Sequence, residues 1–185
     1  GRLLRTWRKG KAQIPGYLED YAYLSEGLIE LYEASGEIKY LQRAQELAQQ
    51  MVDLFSDPKG GALYSTAHDQ EKLLIRKKES QDNATPSDNA VACNVFARLS
   101  QHLHQEEFKD TAIGIIEGLG EDILKMPQIF SKTLAAIDFL LSEPLEIVFC
   151  GPKDSVLGLE LRQTVFSAYL PHRTIAHQET GSDHP

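Results

Sequence analysis

The sequence predicts a mainly α-helical chain of antiparallel helix hairpins, carrying a β-hairpin insert and ending in a strand–helix–strand unit. Three observations carry this prediction. Apolar residues recur at steps of three and four over several long stretches. Gly and Pro punctuate those stretches at short intervals, so neighbouring helices fold back on one another. Beyond Pro144 the pattern changes to short apolar runs of β character.

The first helix is expected over 17–35, where Tyr17, Tyr21, Leu24, Leu28 and Leu31 form a stripe broadened by Leu18, Ala22 and Ile29. Pro15-Gly16 marks its entrance and Gly36 its exit, and Glu19 and Asp20 suit the positive end of the helix dipole. A second helix, 37–56, presents Tyr40, Leu41, Ala44, Leu47, Ala48, Met51, Leu54 and Phe55. Only the turn at Gly36 separates the two, so they pack antiparallel. The turn cluster Asp57-Pro58-Lys59-Gly60-Gly61 then opens an expected β-hairpin over 60–78, with strands at 62–66 and 73–76.

Thr85-Pro86-Ser87-Asp88 starts a third helix, running through Val91, Val95, Phe96 and Leu99 to His102. Its partner over 105–125 shows Phe108, Ala112, Ile115, Ile116, Leu119 and Ile123. Gly114, Gly118 and Gly120 there permit close approach. A fifth helix spans 128–142 and stops at Pro144. Leu145 to Cys150 reads as a buried strand, a helix follows from Asp154 or Ser155 to Ala168, and His172 to Ala176 supplies a parallel strand. The domain expectation is a helical unit over 1–143, a small β-α-β appendage over 144–177 and a frayed tail over 178–185. The two helix hairpins suggest a weak internal repeat.

Composition narrows the function. A net charge of −8 argues against a nucleic-acid binder. Arg2, Arg5, Arg8, Lys9 and Lys11 around Trp7 read as a helix end or connecting loop with solvated charge, a basic patch being the alternative. Cys93 and Cys150 form no CxxC or zinc spacing and sit among apolar neighbours, as inert buried thiols do. That usage fits a reducing cytoplasm. No membrane span and no signal peptide are read, and Gly1 in place of Met reads as a fragment or processed chain. Glu26, Glu30, Glu33 and Glu37 read as a solvated helix face. The six histidines form no metal motif, so neither metal nor cofactor is expected.

Two separated segments resemble one known family. They are Ile14-Pro15-Gly16-Tyr17-Leu18-Glu19-Asp20-Tyr21-Ala22 and the later Glu79, Asp82, Ala84, Pro86, Ser87 and Asn89. They resemble the bacterial YyaL-like and animal spermatogenesis-associated proteins that carry an N-terminal thioredoxin-like domain. The order of helix pair, Gly-Gly β-hairpin, Lys-Glu-x-x-Asp-x-Ala-x-Pro-Ser segment and closing Ile-Val-x-x-Gly strand extends the resemblance over most of the chain. It implies an (α/α)6 toroid similar to N-acylglucosamine 2-epimerases and six-hairpin glycosidases. It implies too that this chain is the C-terminal part, without the thioredoxin-like domain and earlier helix pairs, so one copy closes no ring. Cys93 and Cys150 are then not that domain's redox pair.

In such toroids the inner helices aim their leading ends at a cavity. The helix starts near 17 and 86 are two such ends. Sugar chemistry uses carboxylates as acid, base or nucleophile and aromatic faces as platforms. Asp20 and Asp82 are the expected acids and Tyr17 and Tyr21 the platform. Glu19, Glu79, Asn83, Ser87 and Asn89 are the further ligand contacts. Capping alone also accounts for residues 85–89, and acids at a helix start need no ligand. Epimerases of the resembling fold use histidines at the cavity, and only His68 falls near this one. Two functions are therefore expected. The first is binding or processing of a carbohydrate-like small molecule within a larger toroid, with the fragment inactive alone. The alternative is a non-catalytic structural or interaction module that self-associates through uncovered helix flanks.

Overall fold

The computed structural model describes residues 1–70, 75–152 and 155–178. Eight of its elements match the predicted order: helices α1 (Leu18–Ser35), α2 (Ile38–Phe55), α3 (Asp88–Leu103), α4 (Glu106–Lys125) and α5 (Ser131–Leu141), then a C-terminal strand, helix and strand. The chain is mainly α, as its periodicity requires. Two strands precede α1: β1 (Leu4–Arg8) and β2 (Lys11–Pro15). The last three elements are β3 (Leu145–Cys150), α6 (Val156–Ser167) and β4 (Arg173–Gln178).

The β1–β2 hairpin corrects the expectation of a loop or helix end over the basic run. Arg8 pairs with Lys11 and Trp7 with Ala12, and Lys9 and Gly10 turn the chain with φ of 51° and 76°. Two successive residues at positive φ form the tight turn that matches strand twist. Ile14, at φ 63°, then redirects the chain into α1. Leu3 pins the hairpin's base: its carbonyl accepts from the Gly16 N–H at 2.9 Å, and its N–H donates to the Tyr21 hydroxyl at 3.2 Å.

Each helix is placed by its buried stripe. On α1 that stripe is Leu18, Tyr21, Ala22, Ser25, Leu28, Ile29 and Tyr32, one position round from the predicted one. Tyr17, Leu24 and Leu31, seven residues apart, are left exposed on the flank. α1 packs on α2 and α3, and α3 packs on α4 and α5, so α3 is the central helix. Its core residues Val91, Cys93, Val95, Phe96, Ala97 and Leu99 are all fully buried. Phe96 stacks on Phe108 of α4 at 5.8 Å, while Tyr21 meets Phe55 of α2 edge-on at 5.4 Å. Of the three α4 glycines, Gly118 makes the close approach. A Cβ there would sit 2.7 Å from the Gly61 Cα, so α4 and the turn after α2 touch backbone to backbone.

The segment expected as a β-hairpin behaves differently. Residues 62–66 run through bends without a strand, and Leu73 and Leu74 of the second expected strand lie outside the described residues. Asp57 organises this region. It accepts from the Lys59 N–H, the Tyr64 hydroxyl and Lys78, and these partners hold its carboxyl below the ordinary carboxylate range.

The acidic face of α1 is also corrected. Glu33 is 1% exposed and bonds both Arg98 and His102 of α3 at 3.0 Å. Burial works to raise its pKa, but the His102 bond and the Arg98 charge outweigh it and hold it low. Glu30 also pairs with Arg98, and Glu26 with Lys132 of α5. Three of the four acids therefore bind α1 to its neighbours, Glu33 from a buried position and Glu30 from an exposed one.

β3 and β4 pair in parallel from Leu145↔Arg173 to Cys150↔Gln178, as predicted. β4 lies against α1 and α3 and buries Thr174 and Ile175, whereas no α6 residue is buried. Cys93 is buried, and burial pushes its thiol up to about 12; Cys150 is exposed, because β3 lies outermost. No described helix is long and apolar enough to cross a membrane.

Gly36 closes α1 at φ 69°, its N–H donating to the Tyr32 carbonyl at 2.7 Å, and an added Cβ would lie 2.5 Å from the His177 ring. Gly36→Ala should therefore cost about 2 kcal/mol or more in urea unfolding. Adding His177→Ala should recover part of that loss, whereas strict additivity of the two changes would show that the ring contact is not the cause.

Candidate functional site

The entrance of α1 is held by acids and one arginine. Tyr17 precedes the first turn in an extended conformation, and its N–H donates to Asp20 Oδ2 at 2.8 Å. Arg5 from β1 reaches across, 2.5 Å from Glu19 and 3.3 Å from Asp20, with its guanidinium 4.8 Å from the centre of the Tyr17 ring. These groups are partly exposed, so each ion pair contributes at most about 1 kcal/mol. Their joint effect is to orient Tyr17 and tie the hairpin to α1.

The entrance of α3 is built more tightly. Ser87 caps the helix, its Oγ accepting from the Ala90 N–H at 3.2 Å and donating to the Ser80 carbonyl at 2.9 Å. Asp82 clamps two helices at once. Oδ1 accepts from the Ser87 N–H and Oδ2 from the Lys132 N–H in the first turn of α5, both at 2.9 Å. Asn89 is fully buried: Oδ1 accepts from the Leu63 N–H at 2.7 Å, and Nδ2 donates to the carbonyls of Leu63 and Glu79 at 2.9 and 2.8 Å and lies 3.1 Å from Asp88 Oδ1, which also accepts from it.

Between these entrances lies a cleft of about 490 Å³. Tyr17 and Glu19 line it from α1, and Glu79, Asn83, Ser87 and Asp88 from the approach to α3, with Ser65, Lys77 and Thr85. Lys77 pairs with Glu79. Tyr23 joins the two walls, its hydroxyl donating to the Pro86 carbonyl at 2.9 Å. Five of the predicted site residues thus converge: Tyr17, Glu19, Glu79, Asn83 and Ser87. Four do not. Asp82 stands behind the walls with both oxygens committed to backbone N–H groups, and Asp20 Oδ2 is shared between the Tyr17 N–H and Arg5. Tyr21 is buried against Phe55 and offers no platform, and Asn89 is a staple of the loop.

Asp88 is the carboxyl of the cleft lining that the expected acids and contacts leave out. It is buried at the first position of α3, accepting from the Asn89 N–H at 2.7 Å. Burial pushes its carboxyl up to about 6, against the pull of the Ser65 hydroxyl and the Asn89 bonds, and Glu79 adds to the rise. From sequence its position reads as an ordinary capping acid. What distinguishes it, the loop folded over it, is a tertiary fact. Among the described residues no group of three or more His, Cys, Asp or Glu is placed to hold a metal ion.

The fold and cleft define a class: a helix-hairpin protein with a polar cleft of ligand size at the leading ends of two neighbouring helices. No family model matches the chain. It is similar to spermatogenesis-associated protein 20 of Mus musculus, 31% identical over 184 residues that cover 95% of this chain and 23% of the mouse protein. The Homo sapiens protein of the same name is 30% identical over the same coverage, and an uncharacterized protein of Caenorhabditis elegans is 27% identical over 175 residues, 95% of this chain and 24% of that protein. The chain spans about a quarter of the length of these relatives.

The raised pKa of Asp88 has a definite sign. Its protonated form is favoured in the folded state, so its contribution is full below the unfolded pKa near 3.8 and is lost as pH rises through about 6. Asp88→Asn removes that loss. The variant should gain on the wild type by about 2 kcal/mol between pH 4 and pH 7 in urea unfolding. A difference between the two proteins that stays constant across that range would contradict the assignment.

Proposed function

We propose that this cleft binds a carbohydrate-like small molecule. The observation that carries the reading is the meeting of the α1 and α3 entrances on one cavity. There the Tyr17 ring, already faced by a cation, stands beside the carboxylates of Glu19 and Glu79 and the buried carboxyl of Asp88. Sugars present apolar ring faces and clustered hydroxyls, and an aromatic face with neighbouring acceptors suits both. Asp88 takes the buried position expected of an acid, while Asp20 and Asp82 hold the walls. The proposed setting is a longer (α/α)6 toroid of the thioredoxin-domain-containing kind, in a cytoplasm that suits two unpaired thiols. The helical row α1, α3, α5 would contribute part of its inner ring.

Calorimetric titration of the 185-residue chain with glucose, N-acetylglucosamine, maltotriose and chitotriose tests the reading. Saturable binding is expected with at least one sugar, weakened about tenfold or more by Tyr17→Ala and by Glu79→Gln. Asp20→Asn should lower stability more than affinity. No binding by any of the four sugars, or binding indifferent to both cleft substitutions, would defeat it.

A second reading, self-association, is favoured by a separate observation. The stripe Tyr17, Leu24 and Leu31 on α1 is exposed, and so are Val156, Leu157, Leu159 and Leu161 on α6. A helix apolar around much of its circumference is ordinarily covered. Light scattering should then show dimers or larger species as concentration rises, reduced by Leu157→Glu if α6 is the contact and by Leu24→Glu if α1 is. A monomer at every concentration removes this reading.

A further inference from the structure

Trp7 is the chain's sole tryptophan and is 74% exposed, an unusual position for the side chain with the most apolar surface to bury. Its surroundings are well defined. Successive side chains of a strand alternate between faces, so Trp7 shares a face of β1 with Arg5, two residues away. Arg5 in turn is fixed at the cleft mouth by Glu19, Asp20 and the Tyr17 ring. The hairpin is fastened at its base as well, through Leu3 to Gly16 and Tyr21, and by Gln70, whose amide donates to the Gly16 carbonyl at 3.2 Å. Trp7 is therefore carried on an anchored arm, displaced from Arg5 by two residues of strand, about 7 Å.

We infer that Trp7 is a second stacking platform, one sugar unit outside the cleft, and that the ligand is an oligosaccharide rather than a single sugar. The inference rests on the carbohydrate reading of the cleft. Tyr17 receives one ring at the mouth, and Trp7 receives the next ring on the hairpin face. Measured from Arg5, whose guanidinium lies 4.8 Å from the centre of the Tyr17 ring, the strand step to Trp7 is of the order of one glycan unit. Facing Trp7 across the hairpin is Ala12, whose small side chain leaves the indole face open. Arg5, held at the Tyr17 ring by Glu19 and Asp20, has further N–H groups to donate to hydroxyls of the ligand.

A lone tryptophan makes the test direct, since all tryptophan emission reports on this one site. Titrating the full chain with maltotriose and chitotriose should shift the emission to the blue or quench it, while glucose and N-acetylglucosamine occupy the cleft without that change. Trp7→Ala should weaken trisaccharide binding about tenfold by calorimetry and leave monosaccharide affinity unchanged, and Trp7→Phe should restore part of the loss. Because Trp7 is exposed, unfolding curves of both variants should superimpose on the wild type. Trisaccharide binding with unaltered emission and no effect of Trp7→Ala overturns the second platform while leaving the cleft standing. Failure of all four sugars to bind overturns both.

Discussion

A folded chain must satisfy the backbone of every segment it buries, and among the described residues between α2 and α3 this is done without a sheet. Leu63 is buried, yet no strand lies beside it. Its N–H and C=O are both taken by the single amide of Asn89, which stands in for the neighbouring strand a ladder would have supplied. The same amide also holds the Glu79 carbonyl. A buried unpaired backbone group costs about 1–3 kcal/mol, so three groups satisfied by one side chain outweigh any gain from turning Asn89 toward a ligand. The loop is laid across the start of α3 by this staple, and the cleft wall follows from it.

Asp82 extends that constraint to α5. By accepting from Ser87 and Lys132 it fixes the entrances of α3 and α5 to one carboxylate, while Glu33, Arg98 and His102 fix the other ends of α1 and α3. α5 is joined to its neighbours at its first turn, through Asp82 and the Glu26–Lys132 pair, and α1 and α3 are joined again at their far ends. Breaking one partner of the Glu33 cluster would leave a buried charge exposed to desolvation, which is why such clusters resist change even where their net contribution is small.

What sequence alone reveals here divides along the line between periodic and tertiary information. The five core helices are legible because burial on one side imposes a period that a single chain displays, and the parallel strand pair because short apolar runs after Pro144 mark it, although β3 itself lies largely exposed. The β1–β2 hairpin is not, because every residue of it is exposed and no apolar alternation marks it; its turn uses Lys9-Gly10 rather than the stronger Asn-Gly signal. The apolar run at 62–63 looks like a strand since a buried strand and a buried loop have the same composition. On α1 the stripe is misread by one position because Leu24 and Leu31 are as apolar as the residues that face the core. Glu33 looks solvated because nothing near it in sequence announces Arg98 and His102.

The candidate site shows the same division more sharply. Capping signals located both helix entrances, and the relation between the entrances made the cleft. Those signals cannot rank the acids within it, since a carboxylate that caps and one that faces a ligand occupy neighbouring positions of the same first turn. Asp20 and Asp82 have their oxygens aimed back at N–H groups, whereas Asp88, one residue past the cap, is turned under the loop. Geometry of that kind is set by what covers the helix. It is the loop held by Asn89, and not the acid's place in the sequence, that makes Asp88 the buried carboxyl of the cleft.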